Sequence, residues 1–222
     1  ANREASRPEQ LRALAHEPGL YVPRFYHPRY EGGSSLLGTE PTEPDIPGRV
    51  VKRIAPSLPP PPLKPLVPNT EVVHNRAVVE IHRGCTRGCR FCQAGTITRP
   101  VRERPVEAIV DAAEAILDNT GYEELALLSL SSADYSEIDR LLDVLLERFE
   151  GRNVSISLPS LRIDAFSVNL ADKLSRGRRS GFTFAPEAGT ERLRSRINKD
   201  VTDEDLLSLA HEVFSRGWRS IK

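Results

Sequence analysis

From residue 77 onward, short aliphatic runs alternate with stretches that carry apolar side chains at helical spacing. This alternation constrains the fold more than any other feature, because it predicts parallel strands joined by crossover helices. The predicted strands cover residues 77–81, 125–130, 154–158 and 182–185, and a fifth begins at residue 219. We therefore expect an α/β fold with about four complete βα units and an unfinished fifth.

The boundaries of the crossover helices have signals of their own. Pro105, a residue favoured in the first turn, predicts the start of the first helix, and Gly121 predicts its end. Asp134, with Glu137 three residues later, predicts a capping box at the start of the second helix. Gly151 closes that helix.

The three cysteines of the chain lie together, directly after the first predicted strand. Cys85, Cys89 and Cys92 have CxxxCxxC spacing, and Phe91 precedes the last of them. Cys thiolates are the usual ligands of iron–sulfur clusters, and three of them leave one iron of a four-iron cube open to a small molecule. The alternatives are a disulfide or a zinc site, for which only His82 is available as a fourth ligand. The loop predicts an iron–sulfur site.

The formal net charge is zero, but the charges are unevenly distributed. Residues 76–104 hold seven Arg against two acids, whereas residues 105–150 hold two Arg against twelve acids. The cysteine loop is therefore basic. A cluster on three thiolates is anionic, so nearby guanidinium groups favour its reduced form and anionic partners. The competing interpretation is that most of these Arg are simply solvated.

Composition also bears on the compartment. The chain has no apolar run long enough to cross a bilayer and no charged-then-apolar leader. Three clustered thiols without other cysteines fit a reducing compartment, so we expect a cytoplasmic protein with no membrane partner. Because the chain lacks Met and stops within a fifth unit, we also expect a fragment of a protein that continues beyond Lys222.

The first 75 residues differ from the rest. Residues 1–55 are expected to form an irregular segment without a core of its own, as the remnant of an upstream domain or as an arm, with one short helix over residues 9–16. Seven of the thirteen residues from 56 to 68 are Pro, which favours an extended polyproline path. We expect a Pro-rich linker over residues 56–71, followed by the core domain over 72–222.

Residues 72–222 resemble the radical SAM superfamily. The resemblance is carried by the cysteine loop, by Ser-Leu-Pro-Ser-Leu-Arg ending at Arg162, and by Ala-Pro-Glu-Ala-Gly-Thr around Glu187. Together these stretches are similar to a bacterial family without an assigned reaction, related to methylthiotransferases and coproporphyrinogen-dehydrogenase-like enzymes. The resemblance implies a partial parallel (βα) barrel, truncated here after about four βα units. Such proteins often carry an upstream region similar to cobalamin-binding domains, but no cobalamin-binding His motif is visible.

The resemblance also implies the cofactors. A [4Fe-4S] cluster is expected on Cys85, Cys89 and Cys92, with S-adenosylmethionine chelated to the open iron. Reductive cleavage of that cofactor gives a 5′-deoxyadenosyl radical. Phe91 is expected to contact the cofactor, and a one-electron donor such as flavodoxin or ferredoxin is the implied partner.

Further cofactor contacts are expected in the loops at the carboxyl ends of the strands. Ser131 and Ser132 occupy the place of a Gly-rich stretch that binds the cofactor's amino group, although the glycines are absent; the start of an ordinary helix is the alternative. Arg162 is expected to hold the cofactor's carboxylate, or else to pair with Asp164. Glu187 is expected to accept bonds from the ribose or the amine, or else to be an acid at a helix N-terminus.

The implied function is therefore that of a radical SAM enzyme whose substrate, RNA or protein among the candidates, is not specified. Basic residues that could meet RNA phosphates, or be solvated helix faces instead, are residues 176–179 with Arg192, Arg194 and Arg196. The competing hypotheses are a non-catalytic iron–sulfur protein, acting as electron carrier or sensor, and an inactive fragment.

Overall fold

The computed structural model describes residues 5–165, 168–176 and 181–222. The chain divides into two compact units, Ala1–Pro56 and Ser57–Lys222. No helix in the described residues combines the length and the apolar character needed to cross a membrane.

The first unit contains a helix and a hairpin. Helix α1 (Arg7–His16) is followed by the antiparallel strands β1 (Tyr26–Glu31) and β2 (Ser35–Pro41). A small buried cluster includes residues of the helix, the hairpin and the segments beside them: Ala15, Val22, Phe25, Tyr26 and Ile46. The short helix expected over residues 9–16 is present as α1, whereas the hairpin and the small core were not expected in a segment predicted to be irregular.

The second unit follows the predicted alternation of strands and helices. Its elements in chain order are β3 (Ala77–Glu80), β4 (His82–Arg83), α2 (Gln93–Ile97), β5 (Arg102–Glu103), α3 (Val106–Thr120), β6 (Glu124–Leu128), α4 (Ile138–Arg148), β7 (Ser155–Ser157), α5 (Val168–Arg176), α6 (Glu191–Arg196) and α7 (Asp203–Ser215).

Strands β3, β6 and β7 form a parallel sheet in that order, which confirms the first three predicted strands. The fourth and fifth are reduced to single parallel bridges, Leu161 with Phe184 and Phe182 with Ile221. The expectation of an α/β fold with a parallel sheet is confirmed. Within the described residues, however, the sheet does not close into a barrel, because these bridges extend it by only one residue pair each.

Apolar side chains of the strands and helices form one core. Val79 and Leu127 are fully buried, and they belong to the same cluster as Ile109 of α3 and Leu141 of α4. Burying such a side chain stabilises the fold by about 1.5–3 kcal/mol. Helix α3 ends, as predicted, at Gly121, whose φ of 71° is left-handed.

One predicted cap is wrong. Helix α4 begins at Ile138 with Glu137 as its N-cap, whereas Asp134 lies in a preceding 3₁₀ turn, Ser132–Asp134. The reason is that the Asp134 carboxylate binds the guanidinium of Arg87 instead of capping a helix.

The Pro-rich segment, which belongs to the second unit from Ser57 onward, contacts the rest of that unit along residues 59–63. Arg104, which is buried, donates hydrogen bonds to the carbonyl oxygens of Glu80 at 3.1 Å and Pro59 at 2.9 Å. Asn119 donates to the carbonyl oxygen of Leu63 at 3.0 Å. Because Pro has no N–H, such a segment can lie beside a sheet without extending it.

Candidate functional site

The cysteine loop leaves the sheet just beyond β3 and ends at the start of α2. All three thiols are free and half-buried. Gly84, which precedes the first cysteine, has a φ of 100°. A Cβ there would lie 2.8 Å from the carbonyl oxygen of Pro100 and 3.0 Å from the Cα of Val101, so only Gly fits. Gly84 thereby fixes where the loop begins.

Each cysteine sulfur has an N–H group within hydrogen-bond distance. The pairs are Arg87 N with Cys85 Sγ at 3.4 Å, Gly95 N with Cys92 Sγ at 3.3 Å, and Arg162 Nη1 with Cys89 Sγ at 3.4 Å. N–H donors and nearby positive charge favour the thiolate form and tune the potential of a cluster bound to it. This donor set fits an iron–sulfur cluster held by the three sulfurs.

Within the described residues, no three His, Cys, Asp or Glu side chains are grouped so that they could hold a metal ion. A [4Fe-4S] cube makes a different demand, because its protein sulfurs bind different iron atoms rather than one shared ion. The fit to a cluster therefore depends on the loop and on its N–H donors.

The turn after α6 holds the outer part of the cysteine loop. Asn198 donates its side-chain N–H groups to the carbonyl oxygens of Arg87 at 3.2 Å and Gly88 at 3.0 Å. The backbone N–H of Arg90 donates to the carbonyl oxygen of Ile197 at 2.9 Å. Asn198 has a φ of 57°, which Asn tolerates better than most residues. Sequence reasoning missed this residue, since only its ability to adopt left-handed turns hints at a role.

A chain of alternating charges joins the loops that follow β3, β6 and β7. Arg87 binds Asp134 with two nitrogens, one of them Nε at 2.8 Å from Oδ2, and reaches Asp164 at 3.2 Å. Arg162 in turn donates Nε and Nη2 to Asp164 at 2.9 and 3.0 Å. The predicted pairing of Arg162 with Asp164 is therefore present, and the contact of Arg162 with Cys89 exists beside it.

The network of Arg87, Asp134, Arg162 and Asp164 shifts the pKa values of Asp134 and Arg162. Burial alone would raise the pKa of Asp134, but the hydrogen bonds and charge of Arg87 outweigh burial and hold that pKa below its usual range. Burial likewise opposes the charged form of Arg162, yet Asp164 and the Cys89 sulfur raise its pKa overall. Both groups are thus fixed in their charged forms.

Ser131 and Ser132 are both buried in the loop after β6. The Ser132 hydroxyl lies 3.1 Å from the carbonyl oxygen of Leu127 and 2.6 Å from that of Pro159, so it links β6 to the loop after β7. The hydroxyl of Ser132 therefore serves the fold. The expected cofactor contact, which would use backbone carbonyls of this stretch, stays a prediction.

Glu187 lies in the loop after the bridge residue Phe184 and has a left-handed φ of 71°, which is uncommon for Glu. Its Oε1 pairs with the Nζ of buried Lys199 at 3.0 Å. Helix α6 is capped by Thr190 and has Glu191 in its first turn, so Glu187 is not the acid at that helix N-terminus. Sequence reasoning missed Lys199, which follows Asn198 directly.

Phe91, which is expected to contact the cofactor, is 54% exposed.

Arg194, which was expected among the residues that meet RNA phosphates, is instead buried. It donates to the carbonyl oxygen of Ala188 at 3.2 Å and pairs with Asp203. Its role is structural. The side chains of residues 176–179 lie outside the described part of the chain.

His82, the one candidate for a fourth zinc ligand, is buried and stacks on Tyr135 with ring centroids 6.3 Å apart. Burial lowers the pKa of His82, so the neutral ring is favoured, although nearby acids oppose this. Burial also raises the pKa of Tyr135 to about 12, and its hydroxyl donates to the carbonyl oxygen of Arg104 at 2.7 Å. Burial and the stacking on Tyr135 give His82 a packing role.

Known proteins share this part of the fold. A similar chain, the uncharacterized protein MJ0966 of Methanocaldococcus jannaschii, is 37% identical over 145 residues, covering 65% of this chain and 31% of that protein. The chain thus spans about a third of that relative's length.

Two solved structures resemble the chain at 16% identity, which shows the fold alone. The radical S-adenosylmethionine methyltransferase TsrM from Kitasatospora setae, with cobalamin and a [4Fe-4S] cluster bound, has a TM-score of 0.56 and is matched over 64% of this chain and 29% of its own. The cobalamin-dependent S-adenosylmethionine radical enzyme OxsB has a TM-score of 0.53, with 66% and 22% covered.

The family model of the radical SAM superfamily matches residues 79–222, a range that includes the end of β3, the cysteine loop, β6 and β7. The match extends over well more than half of the chain. This chain therefore belongs to the radical SAM superfamily.

Proposed function

We propose that this chain holds a [4Fe-4S] cluster on Cys85, Cys89 and Cys92 and cleaves S-adenosylmethionine reductively. The observation that carries the proposal is that an N–H group faces each of the three sulfurs. Membership of the superfamily supports an enzyme, and the substrate is left open. Bound there, the cluster would supply the electron that breaks the sulfonium bond, giving methionine and a 5′-deoxyadenosyl radical.

Arg162 is proposed to serve both the sulfur ligand and the cofactor. Its side chain is 10% exposed, and three of its five N–H groups are directed at Asp164 and Cys89. The remaining two are available for the carboxylate of S-adenosylmethionine, in the bidentate manner that suits a guanidinium. Asp164 and Arg87 hold the guanidinium in this orientation.

Glu187 and Phe91 are proposed to contact the rest of the cofactor. Glu187 has one carboxylate oxygen on Lys199, which leaves Oε2 to accept hydrogen bonds from the ribose or the amine. The half-exposed ring of Phe91 is proposed to pack on the cofactor, and the backbone of Ser131 and Ser132 to bind the amino group. Both solved neighbours are cobalamin enzymes, but that likeness is one of fold, so the proposal does not include cobalamin.

The test is anaerobic reconstitution with iron and sulfide, followed by reduction in the presence of S-adenosylmethionine. We expect a brown chromophore in the unchanged chain and 5′-deoxyadenosine in the reduced mixture. The matched control replaces all three cysteines by Ala; because the chain has no other cysteine, it should lose both.

Three results would contradict the proposal in different ways. A chromophore without 5′-deoxyadenosine would favour a non-catalytic iron–sulfur protein. A colourless protein that binds zinc would favour a zinc site. A chromophore that persists after all three cysteines are replaced would mean that these cysteines do not bind the cluster.

A further inference from the structure

The first compact unit, Ala1–Pro56, contains a cavity of about 460 Å³. Tyr21, Tyr26, Arg49 and Lys52 are among the residues that line it, and we call it the tyrosine cavity. The family model begins at residue 79, so the cavity lies outside the matched range. Small-molecule sites are typically cavities of about 300–1,000 Å³ with a few polar groups that orient the ligand. The tyrosine cavity therefore has the size of a small-molecule site.

Two aromatic rings are in contact at the tyrosine cavity. The ring centroids of Tyr21 and Tyr26 are 4.7 Å apart, and the ring planes are inclined by 32°. Tyr26 is buried and donates its hydroxyl to the carbonyl oxygen of Pro47 at 2.8 Å, which fixes its ring. Tyr21 rests on that fixed ring and is still 49% exposed. An aromatic ring that is supported on one side and open to solvent elsewhere can stack on a planar base.

The segment that follows Pro47 brings positive charge to the tyrosine cavity. Arg49 and Lys52 line it. The side chain of Arg53 lies so close to Gly19, another lining residue, that a Cβ at Gly19 would be 2.6 Å from its Cγ. Among the described residues that line the cavity, none is acidic. Cationic side chains at one cavity favour an anion, and a phosphate matches the fork of N–H donors on Arg.

The acids that precede this segment in the chain are bound to other cations. Glu43 and Asp45 both bind the guanidinium of Arg12, and Glu40 pairs with Arg29 at 3.0 Å. In the sequence, residues 46–70 contain four basic residues and no acid. Because the three acids neutralise cations of the helix and the hairpin, they do not lower the positive charge at the tyrosine cavity.

We propose that the tyrosine cavity binds a nucleoside monophosphate, with its base stacked on Tyr21 and its phosphate held by Arg49 and Lys52. The planar base matches the half-exposed ring, and the phosphate matches the adjacent cations. The proposal does not depend on the three cysteines or on radical chemistry, and it involves no covalent step.

An RNA strand offers the same two groups, a base and a phosphate. A strand, however, needs a succession of cations along its phosphates. Arg12 on α1 and Arg29 on β1 do not extend the positive charge in this way, because acids neutralise both. The free nucleotide is therefore favoured, and RNA becomes an outcome of the test.

The first experiment measures the Kd of the full chain for AMP, GMP, CMP and UMP by isothermal titration calorimetry at low salt. For the tightest of the four, the matching nucleoside and ribose 5-phosphate should each bind roughly tenfold more weakly, because each lacks one of the two recognised groups. Tyr21→Ala should weaken binding of the nucleotide by roughly tenfold, whereas Tyr21→Phe should keep the affinity because it keeps the ring.

The double variant Arg49→Gln/Lys52→Gln separates the phosphate from the base. It should bind the nucleotide roughly tenfold more weakly but bind the nucleoside as the unchanged chain does, because only the phosphate loses its partners. The matched control for Tyr21 is Tyr30→Ala. Tyr30 lies in β1, is 56% exposed and is not among the described residues that line the cavity. Its replacement should leave the Kd unchanged.

A second experiment separates this cavity from the cysteine loop. The chain with all three cysteines replaced by Ala should bind the nucleotide with an unchanged Kd, and S-adenosylmethionine, which has no phosphate, should not displace the nucleotide. Loss of binding in the triple variant would assign the nucleotide to the cysteine loop and overturn the proposal, while the proposed function would still stand.

Absence of binding of all four monophosphates would overturn the proposal, as would equal Kd values for Tyr21→Ala and Tyr30→Ala. So would a short single-stranded RNA that binds more tightly, displaces the nucleotide and loses affinity in the double variant. If circular dichroism shows that Tyr21→Ala does not fold, the double variant decides, because Arg49 and Lys52 are exposed. An unchanged Kd in that variant would count against the proposal.

Discussion

At the scale of single residues, Arg162 combines two expected roles with one that was not expected. Its sequence context predicts a role toward the cofactor's carboxylate or a pairing with Asp164, and the structure shows that pairing and adds a contact with the Cys89 sulfur. A positive charge and an N–H donor at a sulfur ligand stabilise the more negative, reduced state of a cluster. Arg162 should therefore raise the reduction potential as well as bind the cofactor.

Replacing Arg162 by Gln should lower the reduction potential of the reconstituted cluster by some tens of mV, because the positive charge beside Cys89 is lost. The potential is measured by titration with mediators, followed by electron paramagnetic resonance, without S-adenosylmethionine. Arg148→Gln, on an exposed Arg at the end of α4, is the control and should leave the potential unchanged. An unchanged potential in Arg162→Gln would place the bound cluster away from this guanidinium.

At the scale of elements, helices and strands are predicted best from the sequence where their buried residues recur at regular spacing. The three strands of the parallel sheet and the Gly end of α3 were predictable, because buried aliphatic runs and a left-handed cap leave local signals. Strand β1 was not predictable, since only its first residue is buried and the strand has no alternation of apolar and polar faces.

The candidate site also has residues that the sequence predicts and residues that it does not. The cysteines and Glu187 stand in recognisable local stretches. The partners that hold them do not, because Arg87 binds Asp134 across 47 residues and Asn198 binds Arg87 across 111. No local pattern predicts such pairs. The Asp134 cap failed for this reason, since a distant guanidinium competes for the same carboxylate.

The contact between the turn after α6 and the cysteine loop can be tested by two substitutions of one residue. Asn198→Gly keeps a backbone suited to a φ of 57° and removes the hydrogen bonds to Arg87 and Gly88, whereas Asn198→Ala also adds strain. We expect Asn198→Gly to lower the free energy of unfolding by roughly 1 kcal/mol, and Asn198→Ala to lower it by roughly 1 kcal/mol more. Urea unfolding measures both.

Hydrogen exchange then locates the effect of the two Asn198 variants. Amide protons of residues 85–92 should exchange faster in Asn198→Gly, while those of β6 should keep their protection, because only the cysteine loop loses its partner. Gly181→Ala is a suitable control, since a Cβ at that position meets no atom of the described residues within 4 Å. Unchanged exchange in the cysteine loop would mean that the turn after α6 does not restrain it.

At the scale of the whole molecule, the chain divides after Pro56, and the Pro-rich segment falls within the second unit. A domain that begins at residue 72, as the sequence suggested, would omit the carbonyl groups of Pro59 and Leu63. Those groups accept hydrogen bonds from buried Arg104 and from Asn119 at the end of α3. Leaving a buried guanidinium N–H without its acceptor costs on the order of 1–3 kcal/mol.

Two shortened chains distinguish these boundaries. Residues 57–222 should unfold in urea at nearly the same midpoint as the second unit of the full chain, because the segment's contacts with Arg104 and Asn119 are kept. Residues 72–222 should be less stable by a few kcal/mol, since Arg104 loses an acceptor and the side chains of Val78 and Leu128, which line a cavity together with Pro59–Pro62, are uncovered. If the two shortened chains unfolded at the same midpoint, the Pro-rich segment would be a linker after all, and Arg104 would be held by the carbonyl oxygen of Glu80 alone.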